Sequence, residues 1–492
     1  MRPPERASRR PYFQRLVDAY REEALPALEE YEFIPAYRGL AVAWRLRVAG
    51  WYGLWQDSTG RREETYELLD GSGRSWTSSA KADGSAFRGY RLHREWASVS
   101  EGLPVVWICG APGVGKSTVA WEMVRQLRAD GIRTAYADID QLGICYPEPA
   151  DDPVRNRLKA RNLGAVADNF RAEGAACLVV SGVLEKEHLP MYRHEAPTAS
   201  ILVALLQLDP VALKERLVGR GADEVLTEAT ILYAEALERG PFADLIVETT
   251  GKRIAEVARL VRAHVRDWPS GSEESEPAPI RRRTASADAG DSPRPVLWVC
   301  GATAVGKSAV AWQVFQQALA AGVMAAFVDL AQVGMLSLLL AGDPENHRLR
   351  ARNLADIWSN CRESGARFLV VTGAVSQREV LADYARLLPP GTTLTVCRLT
   401  ASAETLTTRV ELRARGVGWP EPGDRLQGLS SAEVGQVVDA AVAEDHHLER
   451  LQLGDLRIET DLLTIEEAAQ KVLAGARGWR ELLELPGQGS RR

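Results

Sequence analysis

One pattern, a glycine-rich loop between an apolar run and a helical run, occurs twice in this chain. Each copy fits G-x-x-x-x-G-K-[ST] and follows a short run containing valine, tryptophan and cysteine. The first copy and the residue after it are Gly110, Ala111, Pro112, Gly113, Val114, Gly115, Lys116, Ser117 and Thr118. The second copy and the residue after it are Gly301, Ala302, Thr303, Ala304, Val305, Gly306, Lys307, Ser308 and Ala309. Such a loop joins a buried strand to the beginning of a helix, so two copies constrain the fold strongly.

The chemistry of this loop is set by its backbone and by its last two residues. A loop that ends at a helix N-terminus directs N–H groups and the positive end of the helix dipole toward an anion. The lysine, Lys116 or Lys307, can then reach the β- and γ-phosphates, and the serine, Ser117 or Ser308, can ligate Mg²⁺. The alternative is a glycine-rich turn that binds nothing. We predict that both loops bind nucleotide phosphates.

The similarity between the two copies extends well beyond the loops. An offset of 191 residues maps the first copy onto the second without a gap for about eighty residues. Trp107 aligns with Trp298, Asp138 aligns with Asp329, and a run that contains Arg-Asn-Leu recurs in both copies. The length of the match indicates that two whole domains are repeated, rather than a short solenoid unit.

Each copy alternates strand patterns with helical patterns. In the first copy, strands are predicted near 104–109, 133–138, 176–181, 200–207 and 244–249. Helices are predicted near 116–128, 156–172, 210–219, 226–238 and 252–266. Continuously apolar strands that alternate with helices indicate a parallel sheet covered on both faces, with ligands at the carboxyl ends of the strands. The predicted fold class is α/β, with two tandem P-loop NTPase domains and a small N-terminal α+β appendage.

The predicted domain boundaries follow changes in composition. The two domains span 101–268 and 295–480, and a linker over 269–294 lacks a periodic apolar face, so we predict that it is disordered. The appendage spans 1–100, and its tryptophans indicate a small core or, alternatively, stacking on a substrate ring. Residues 481–492 are predicted to be a flexible tail.

Bulk properties exclude several function classes. The net charge of −6 argues against a general binder of nucleic acid or of membrane surfaces. No apolar run approaches the roughly 20 residues that span a bilayer, and the basic start lacks the apolar segment of a secretory signal. The six cysteines show no zinc-binding spacing, and small core roles are expected for them. We predict a cytoplasmic protein with no membrane partner.

Two carboxylates follow the second strand of the first copy. Asp138 and Asp140 would share a face in an extended strand, whereas a turn would separate them. We predict that Asp138 contacts Mg²⁺, as Asp329 would in the second copy, and that Asp140 acts as the base that activates an acceptor hydroxyl. The alternative is that an aspartate at the end of a strand caps the helix that follows.

Two arginines lie one turn apart on the predicted helix after the fourth strand. Arg216 and Arg220 could stabilise the charge of a transferring phosphoryl group, and their recurrence as Arg409 and Arg413 favours this role. The alternative is a solvated basic face.

A second pair of arginines lies on an earlier helix. Arg157 and Arg161 are four residues apart and therefore share one helix face. With Asn162 they could bind an anionic or hydroxylated acceptor. Solvent-exposed helix arginines are an equally good alternative interpretation.

These motifs together resemble the small-molecule and nucleotide kinases of the P-loop superfamily, which include shikimate, gluconate and adenylylsulfate kinases and chloramphenicol phosphotransferase. The loop, the Asp-x-Asp pair, the arginine pair of the lid and the closing segment 244–251 carry the resemblance. It covers about 101–268 and, more weakly, 295–480. The resemblance implies a five-stranded parallel sheet, ATP and Mg²⁺ as cofactors, a mobile lid, and transfer of the γ-phosphoryl group to a small acceptor.

The second copy departs from this pattern at three positions. Its replacements are Ala331 for Asp140, Ala304 for Gly113 and Ala309 for Thr118. We therefore predict a Mg-ATP-dependent phosphotransferase in the first copy, acting on a small-molecule hydroxyl, and a second copy that binds nucleotide but is catalytically weakened. One alternative is an ATP-sensing module with little turnover that contacts a partner protein through the N-terminal domain or the linker. Another is an ATPase that acts on nucleic acid, against which the acidic net charge counts.

Overall fold

A computed structural model of the chain describes residues 66–69, 75–78, 102–149, 151–238, 242–264, 294–338, 343, 345–415, 426–476 and 479. Apart from one two-stranded antiparallel sheet, β1 (Tyr66–Leu69) with β2 (Ser75–Ser78), the predicted appendage lies outside the described residues. The predicted tail and residues 269–293 of the predicted linker also lie outside them. The other described residues form two α/β halves, the first half (102–264) and the second half (294–479).

The first half alternates strands and helices in the predicted order. Its strands are β3 (Leu103–Cys109), β4 (Thr134–Asp138), β5 (Cys145–Tyr146), β6 (Cys177–Ser181), β7 (Ala199–Gln207) and β8 (Leu245–Glu248). Its helices are α1 (Lys116–Ala129), α2 (Asn156–Ala172), α3 (Leu189–Glu195), α4 (Pro210–Gly219), α5 (Glu224–Glu238) and α6 (Ile254–His264). A 3-10 turn spans Gln141–Gly143. The five predicted strands agree with the structure to within one residue at each end, whereas β5 and α3 are too short to show a period and were not predicted.

The second half repeats this order of elements. Its strands are β9 (Arg294–Gly301), β10 (Ala325–Asp329), β11 (Met335–Leu336), β12 (Phe368–Thr372), β13 (Thr392–Thr400) and β14 (Leu456–Glu459). Its helices are α7 (Lys307–Ala320), α8 (Leu330–Val333), α9 (His347–Glu363), α10 (Arg378–Leu387), α11 (Ala403–Ala414), α12 (Ser431–Arg450) and α13 (Ile465–Gly475). The predicted linker ends one residue too late, because Arg294 already belongs to β9.

Each half is built around a six-stranded sheet. The strand orders are β11-β4-β6-β3-β7-β8 in the first half and β14-β13-β9-β12-β10-β5 in the second. Five neighbouring strands in each sheet are parallel, and the sixth, at one edge, is antiparallel. The parallel strands are the five that the resemblance implied. In each sheet the carboxyl ends of the parallel strands lie at the same edge, and the glycine-rich loop of that half begins there.

The antiparallel edge strands are exchanged between the halves. β5 of the first half pairs with β10, where Tyr146 lies opposite Ala325. In return, β11 of the second half pairs with β4, where Met335 lies opposite Tyr136. Each exchanged strand covers the exposed edge of the other sheet and so satisfies its free backbone groups. The two sheets are therefore joined side by side, a relation that the sequence left open.

Helices α2 and α9 pack against each other at the same interface. Asn360 donates from Nδ2 to Oδ1 of Asn162 at 2.8 Å, and both side chains are buried. Asn169, which occupies the position in α2 equivalent to Asn360 in α9, donates to Asp356 at 2.7 Å. Because buried amides need hydrogen-bond partners, these contacts fix how the two helices align.

The cores of the two halves repeat one aromatic arrangement. Trp107 packs edge-on against Tyr192 with 4.7 Å between ring centroids, and its Nε1 donates to the carbonyl of Gly182 at 3.3 Å. Trp298 and Tyr384 pack in the same way, also at 4.7 Å. Trp298 Nε1 donates to the carbonyl of Gly373 at 3.1 Å, so both of these indoles have the partner that a buried N–H requires.

All six cysteines are buried and none forms a disulfide bond, as expected for small core residues. Among the described helices, none combines the length and the apolar character needed to cross a bilayer.

Candidate functional site

The first loop adopts a backbone that depends on its glycines. Gly110, Gly113 and Gly115 have φ values of 144°, 93° and 97°. A β-carbon at Gly110 would lie 2.6 Å from the carbonyl oxygen of Leu206, so a larger residue would force the backbone apart. Helix α1 begins at Lys116 without a side chain that caps it. Its first N–H groups are therefore available to an anion.

Lys116 places a partly buried ammonium group inside this loop. Its Nζ donates to the carbonyl of Ala111 at 2.9 Å. Burial lowers the pKa of Lys116 to about 8, the carboxylates of Asp140 and Asp138 partly oppose this effect, and the charge of Arg220 adds to it. A phosphate beside the ammonium would favour its charged form.

Three side-chain oxygens meet beside the loop at the carboxyl ends of β4 and β6. Ser181 Oγ lies 3.4 Å from Ser117 Oγ and 3.4 Å from Asp138 Oδ2. The hydroxyl of Tyr136 lies 2.9 Å from Ser181 Oγ. Hydroxyl and carboxylate oxygens are the ligands that Mg²⁺ prefers. Ser117 and Asp138 thus lie close together, and the sequence assigned no role to Ser181 or Tyr136.

A turn separates the two aspartates at the end of β4. The backbone N–H of Asp140 donates to Asp138 Oδ1 at 2.9 Å, so Asp138 also stabilises the turn. Asp140 Oδ1 accepts a hydrogen bond from Lys159 Nζ at 2.7 Å. The Lys159 side chain is 12% exposed and that of Asp140 is 39% exposed, so Asp140 remains open to solvent. Sequence reasoning did not single out Lys159.

The three residues predicted to bind an acceptor have other contacts in the structure. Arg157 is exposed and pairs with Asp151 at 2.9 Å. Arg161 forms an ion pair with Glu363 of the second half. Asn162 is buried, donates to a carbonyl of the 3-10 turn at 2.6 Å and accepts the bond from α9. The acceptor-binding role of these three residues stays a prediction.

The face of α2 directed at the site carries Lys159 and Asn162, which are three positions apart. Arg155, the residue before the helix, donates to the carbonyl of Gly143 at 2.8 Å, next to the carbonyl that Asn162 contacts. The spacing of Lys159 and Asn162 places them on one face, but it does not say that this face packs toward the site.

The second loop keeps the lysine, the serine and the first aspartate in the same arrangement. Lys307 donates to Ala302 O at 2.8 Å, and Ser308 Oγ donates to Asp329 Oδ2 at 3.2 Å. Asp329 Oδ1 accepts from the N–H of Ala331 at 2.9 Å, at the position where the first half carries Asp140. Burial lowers the pKa of Lys307 and raises the pKa of Asp329. The second half therefore has the lysine, the serine and the first aspartate, with an alanine where the first half has Asp140.

The loop conformation also persists where a glycine is missing. Ala304 has a φ of 64°, in the left-handed region that non-glycine residues rarely adopt, and Gly113 has a φ of 93° at the same position. An alanine there carries backbone strain that the surrounding loop must offset.

The predicted arginines lie near both loops. Arg409 Nη1 donates to Val305 O at 2.8 Å and to Thr460 Oγ1 at 2.9 Å, and thereby links α11 to the second loop. In the first half, Arg216 Nη1 lies 3.9 Å from the point that a β-carbon on Gly115 would occupy. The charge-stabilising role of Arg216 and Arg220 stays a prediction.

The parallel sheets, the loops at their carboxyl edges and the helices that begin at the loop lysines define a P-loop nucleotide-binding fold in each half. Residues 106–238 match the family model described as AAA domain. The loop and this match agree with the P-loop nucleotide-binding fold that the sheets define.

Similar solved structures include several from bacteria. The tunicamycin resistance protein of Deinococcus radiodurans is 19% identical, with 37% of this chain and 94% of that chain covered and a TM-score of 0.26. A gluconokinase from Sinorhizobium meliloti 1021 is 21% identical, with 34% and 92% covered and a TM-score of 0.25. The hexameric APS kinase from Thiobacillus denitrificans is 14% identical, with 85% and 80% covered and a TM-score of 0.23. A comparison with curated protein sequences found no match. At these identities and scores, no function passes from those proteins to this chain.

Proposed function

We propose that the first half is a Mg-ATP-dependent phosphotransferase that acts on a hydroxyl of a small molecule, and that the second half binds nucleotide but is catalytically weakened. One observation carries the proposal. Beside the first loop, Asp140 lies half-exposed and paired with Lys159, whereas Ala331 stands at the equivalent place beside the second loop. At the position where the first site has the carboxylate that would take the proton, the second site has an alanine.

Phosphoryl transfer requires bound phosphates and neutralisation of their charge. Lys116 and the first N–H groups of α1 would bind the phosphates of ATP. Ser117 and Asp138 would hold Mg²⁺, which supplies positive charge to the phosphate oxygens. Within the described residues there is no cluster of three or more acidic, histidine or cysteine side chains that could form a metal cage. This agrees with Mg²⁺ held by one carboxylate, a hydroxyl, water and the nucleotide itself.

The transfer step also requires a group that takes the proton of the acceptor. The oxygen of the acceptor hydroxyl would attack the γ-phosphorus of ATP, and the bond between that phosphorus and the leaving ADP oxygen would break. Asp140 would accept the proton that the acceptor hydroxyl loses. Lys159 would hold Asp140 in position through the hydrogen bond between them. Arg216 and Arg220 would stabilise the charge on the transferring phosphoryl group, and Arg157 is a candidate contact to the acceptor.

The test is phosphoryl transfer by the full chain. The protein is incubated with γ-labelled ATP, Mg²⁺ and a panel of sugars, nucleosides, aminocyclitols and antibiotic alcohols. Label is expected in at least one acceptor, and Lys116→Ala is expected to remove it. Transfer that survives Lys116→Ala would overturn the proposal.

A second candidate, an ATP-sensing module, is favoured by a different observation. The exchanged strands β5 and β11 connect the sheets that carry the two loops. Occupancy of the loops could therefore change how the halves pack. A partner protein could respond to this change by binding the N-terminal domain, residues 1–100, or the linker. Small-angle scattering with and without ATP, combined with a turnover assay, tests it. A change of shape with slow turnover supports the sensor, and rapid turnover with no change of shape rejects it. A cytoplasmic location is part of both proposals.

A further inference from the structure

The second loop is in contact with a carboxylate of its own chain. Glu444 of α12 accepts a hydrogen bond from the backbone N–H of Thr303 at 3.0 Å and another from Thr303 Oγ1 at 3.3 Å, both through Oε2. Thr303 is the third residue of the glycine-rich loop. An acidic side chain is therefore bonded to a backbone amide of the loop that is expected to bind phosphate.

Helix α12 holds Glu444 against the loop through its packing. Ala441 and Leu448, three residues before and four residues after Glu444, are both buried, so Glu444 lies on the inward face of the helix. The first turn of α12 is stabilised by a capping box between Ser430 and Glu433. The position of Glu444 is set by the packing of the helix at Ala441 and Leu448.

Near its C-terminus, α12 is also tied to the sheet. Glu449 forms an ion pair with Arg398, a residue of β13 that is only 2% exposed. A helix that is packed on its inward face and tied to the sheet near its C-terminus presents Glu444 to the loop as a preorganised ligand, so little side-chain ordering opposes the contact.

The first half lacks both members of this contact. Its third loop residue is Pro112, which has no backbone N–H to donate. The residue of the first half that is equivalent to Glu444 is Tyr233. Asp244 and Asp455 are equivalent to each other, because the carboxylate of each accepts a backbone hydrogen bond at 2.8 Å, from β7 and from β13 respectively. Tyr233 and Glu444 each lie eleven residues before that aspartate. Between the two halves, the donor residue (Thr303 or Pro112) and the acceptor residue (Glu444 or Tyr233) are thus both replaced.

We infer that Glu444 is a built-in carboxylate ligand of the second loop, and that a nucleotide must displace it before its phosphates can bind there. A carboxylate and a phosphate would compete for the loop amides and for the Lys307 ammonium. Two anions bound side by side would also repel each other. The charge of Glu444 also acts on Lys307, where it opposes the lowering of the lysine pKa by burial. The inference rests on the proposed binding of nucleotide by the second half.

The experiment measures nucleotide binding at the second loop of the full chain. Lys116→Ala is introduced first, so that the first loop does not contribute. The dissociation constant of a fluorescent methylanthraniloyl derivative of ATP is then measured by anisotropy for this parent and for its Glu444→Gln derivative. Glutamine keeps the size of the side chain but removes its charge. Affinity is expected to rise about tenfold, which corresponds to one charge-assisted contact.

Asp439→Asn is the matched control, because Asp439 is an exposed acid on the same helix and the change removes the same charge. Its affinity is expected to stay within about twofold of the parent. Thr303→Pro, which introduces the first-loop residue, removes both donors to Glu444 and is expected to raise affinity in the same direction. This variant carries the test if Glu444→Gln fails to fold.

The outcomes separate the inference from the proposal beneath it. Equal affinities of the parent, Glu444→Gln and Thr303→Pro would reject the inference and leave nucleotide binding by the second loop intact. Absence of binding in every variant would reject nucleotide binding by that loop, and the inference with it. Binding that persists when Lys307→Ala is added would place the nucleotide elsewhere and would also overturn the inference.

Discussion

The two loops share their binding groups and differ in the groups that surround them. Both have a partly buried lysine bonded to a loop carbonyl and a serine close to the aspartate that ends the neighbouring strand. Only the first loop has Asp140 beside it, and only the second is bonded to Glu444. The comparison shows that the loop lysine, the loop serine and the neighbouring aspartate can be kept while the other acidic residues around the loop change. It also shows that a few substitutions suffice to change the surroundings of a loop whose backbone is preserved.

The largest expected effect comes from removing each loop lysine in turn. Lys116→Ala is expected to lower kcat for phosphoryl transfer about 1000-fold, because a partly buried positive charge at the phosphates is lost. Lys307→Ala is expected to change kcat less than about threefold and to remove one nucleotide from the binding stoichiometry. The measurements are a labelled-ATP transfer assay and isothermal titration with ATP.

Equal losses of activity from the two lysine substitutions would contradict an active first site beside a weakened second site. Circular dichroism of both variants serves as the folding control. It matters because each lysine packs within a loop whose glycines leave little room for rearrangement.

The next effect concerns the carboxylate that distinguishes the two sites. Asp140→Asn is expected to lower kcat about 100-fold with little change in KM for ATP, because the amide cannot take the proton of the acceptor. Asp130→Asn is the control, since Asp130 is an exposed acid at the far end of α1 that pairs with Arg262. A decrease in ATP affinity with unchanged kcat would show instead that Asp140 serves the nucleotide.

A smaller effect is expected where the two halves meet. Asn360→Ala should lower the free energy of unfolding by about 1–3 kcal/mol, because it leaves the buried Oδ1 of Asn162 without its donor. Asn169→Ala, at the equivalent position of α2, should cost less, because Asp356 is half-buried and water can replace the amide. Urea denaturation measures both changes, and Arg348→Ala on the exposed face of α9 is the control. Equal losses of unfolding free energy from the two asparagine substitutions would contradict the expected difference between the two hydrogen bonds.

Much of the fold could be predicted because its signals are local in the sequence. The strand β3, the loop and helix α1 follow one another without interruption, and their apolar runs fixed each boundary to within one residue. The exchanged strands β5 and β11 contain two residues each, too few to show a period. They are strands only because the opposite half supplies a sheet edge, and pairing at such distances in the chain leaves no local pattern.

The site divides in the same way. Lys116, Ser117 and Asp138 belong to motifs in which spacing fixes geometry, so the sequence brought them together. Lys159 depends on which face of α2 turns toward β4, and a periodicity argument yields faces without saying which one packs inward. The contact of Glu444 joins residues 141 positions apart, so it depends on how α12 packs against the sheet.

The smallest effect concerns the protonation of the first loop. Because the pKa of Lys116 is about 8 in the free protein, the ammonium is charged below pH 8 and loses its proton above it. Phosphates remain fully ionised in this range, so affinity for ATP should fall as pH rises through 8, by at most about tenfold per pH unit. Titration calorimetry from pH 7 to pH 9.5 on the Lys307→Ala variant reports the first loop alone.

The control for this pH dependence is Lys116→Met, which keeps much of the side-chain volume and cannot titrate. Its weaker affinity should not vary with pH, and the wild-type lysine should take up a fraction of a proton on binding ATP above pH 8, because the phosphate raises its pKa. Buffers of different ionisation enthalpy measure that uptake directly. An affinity that is flat from pH 7 to pH 9.5 would mean that the ammonium stays charged without nucleotide, and that the carboxylates of Asp138 and Asp140 offset its burial more strongly than the shifted pKa implies.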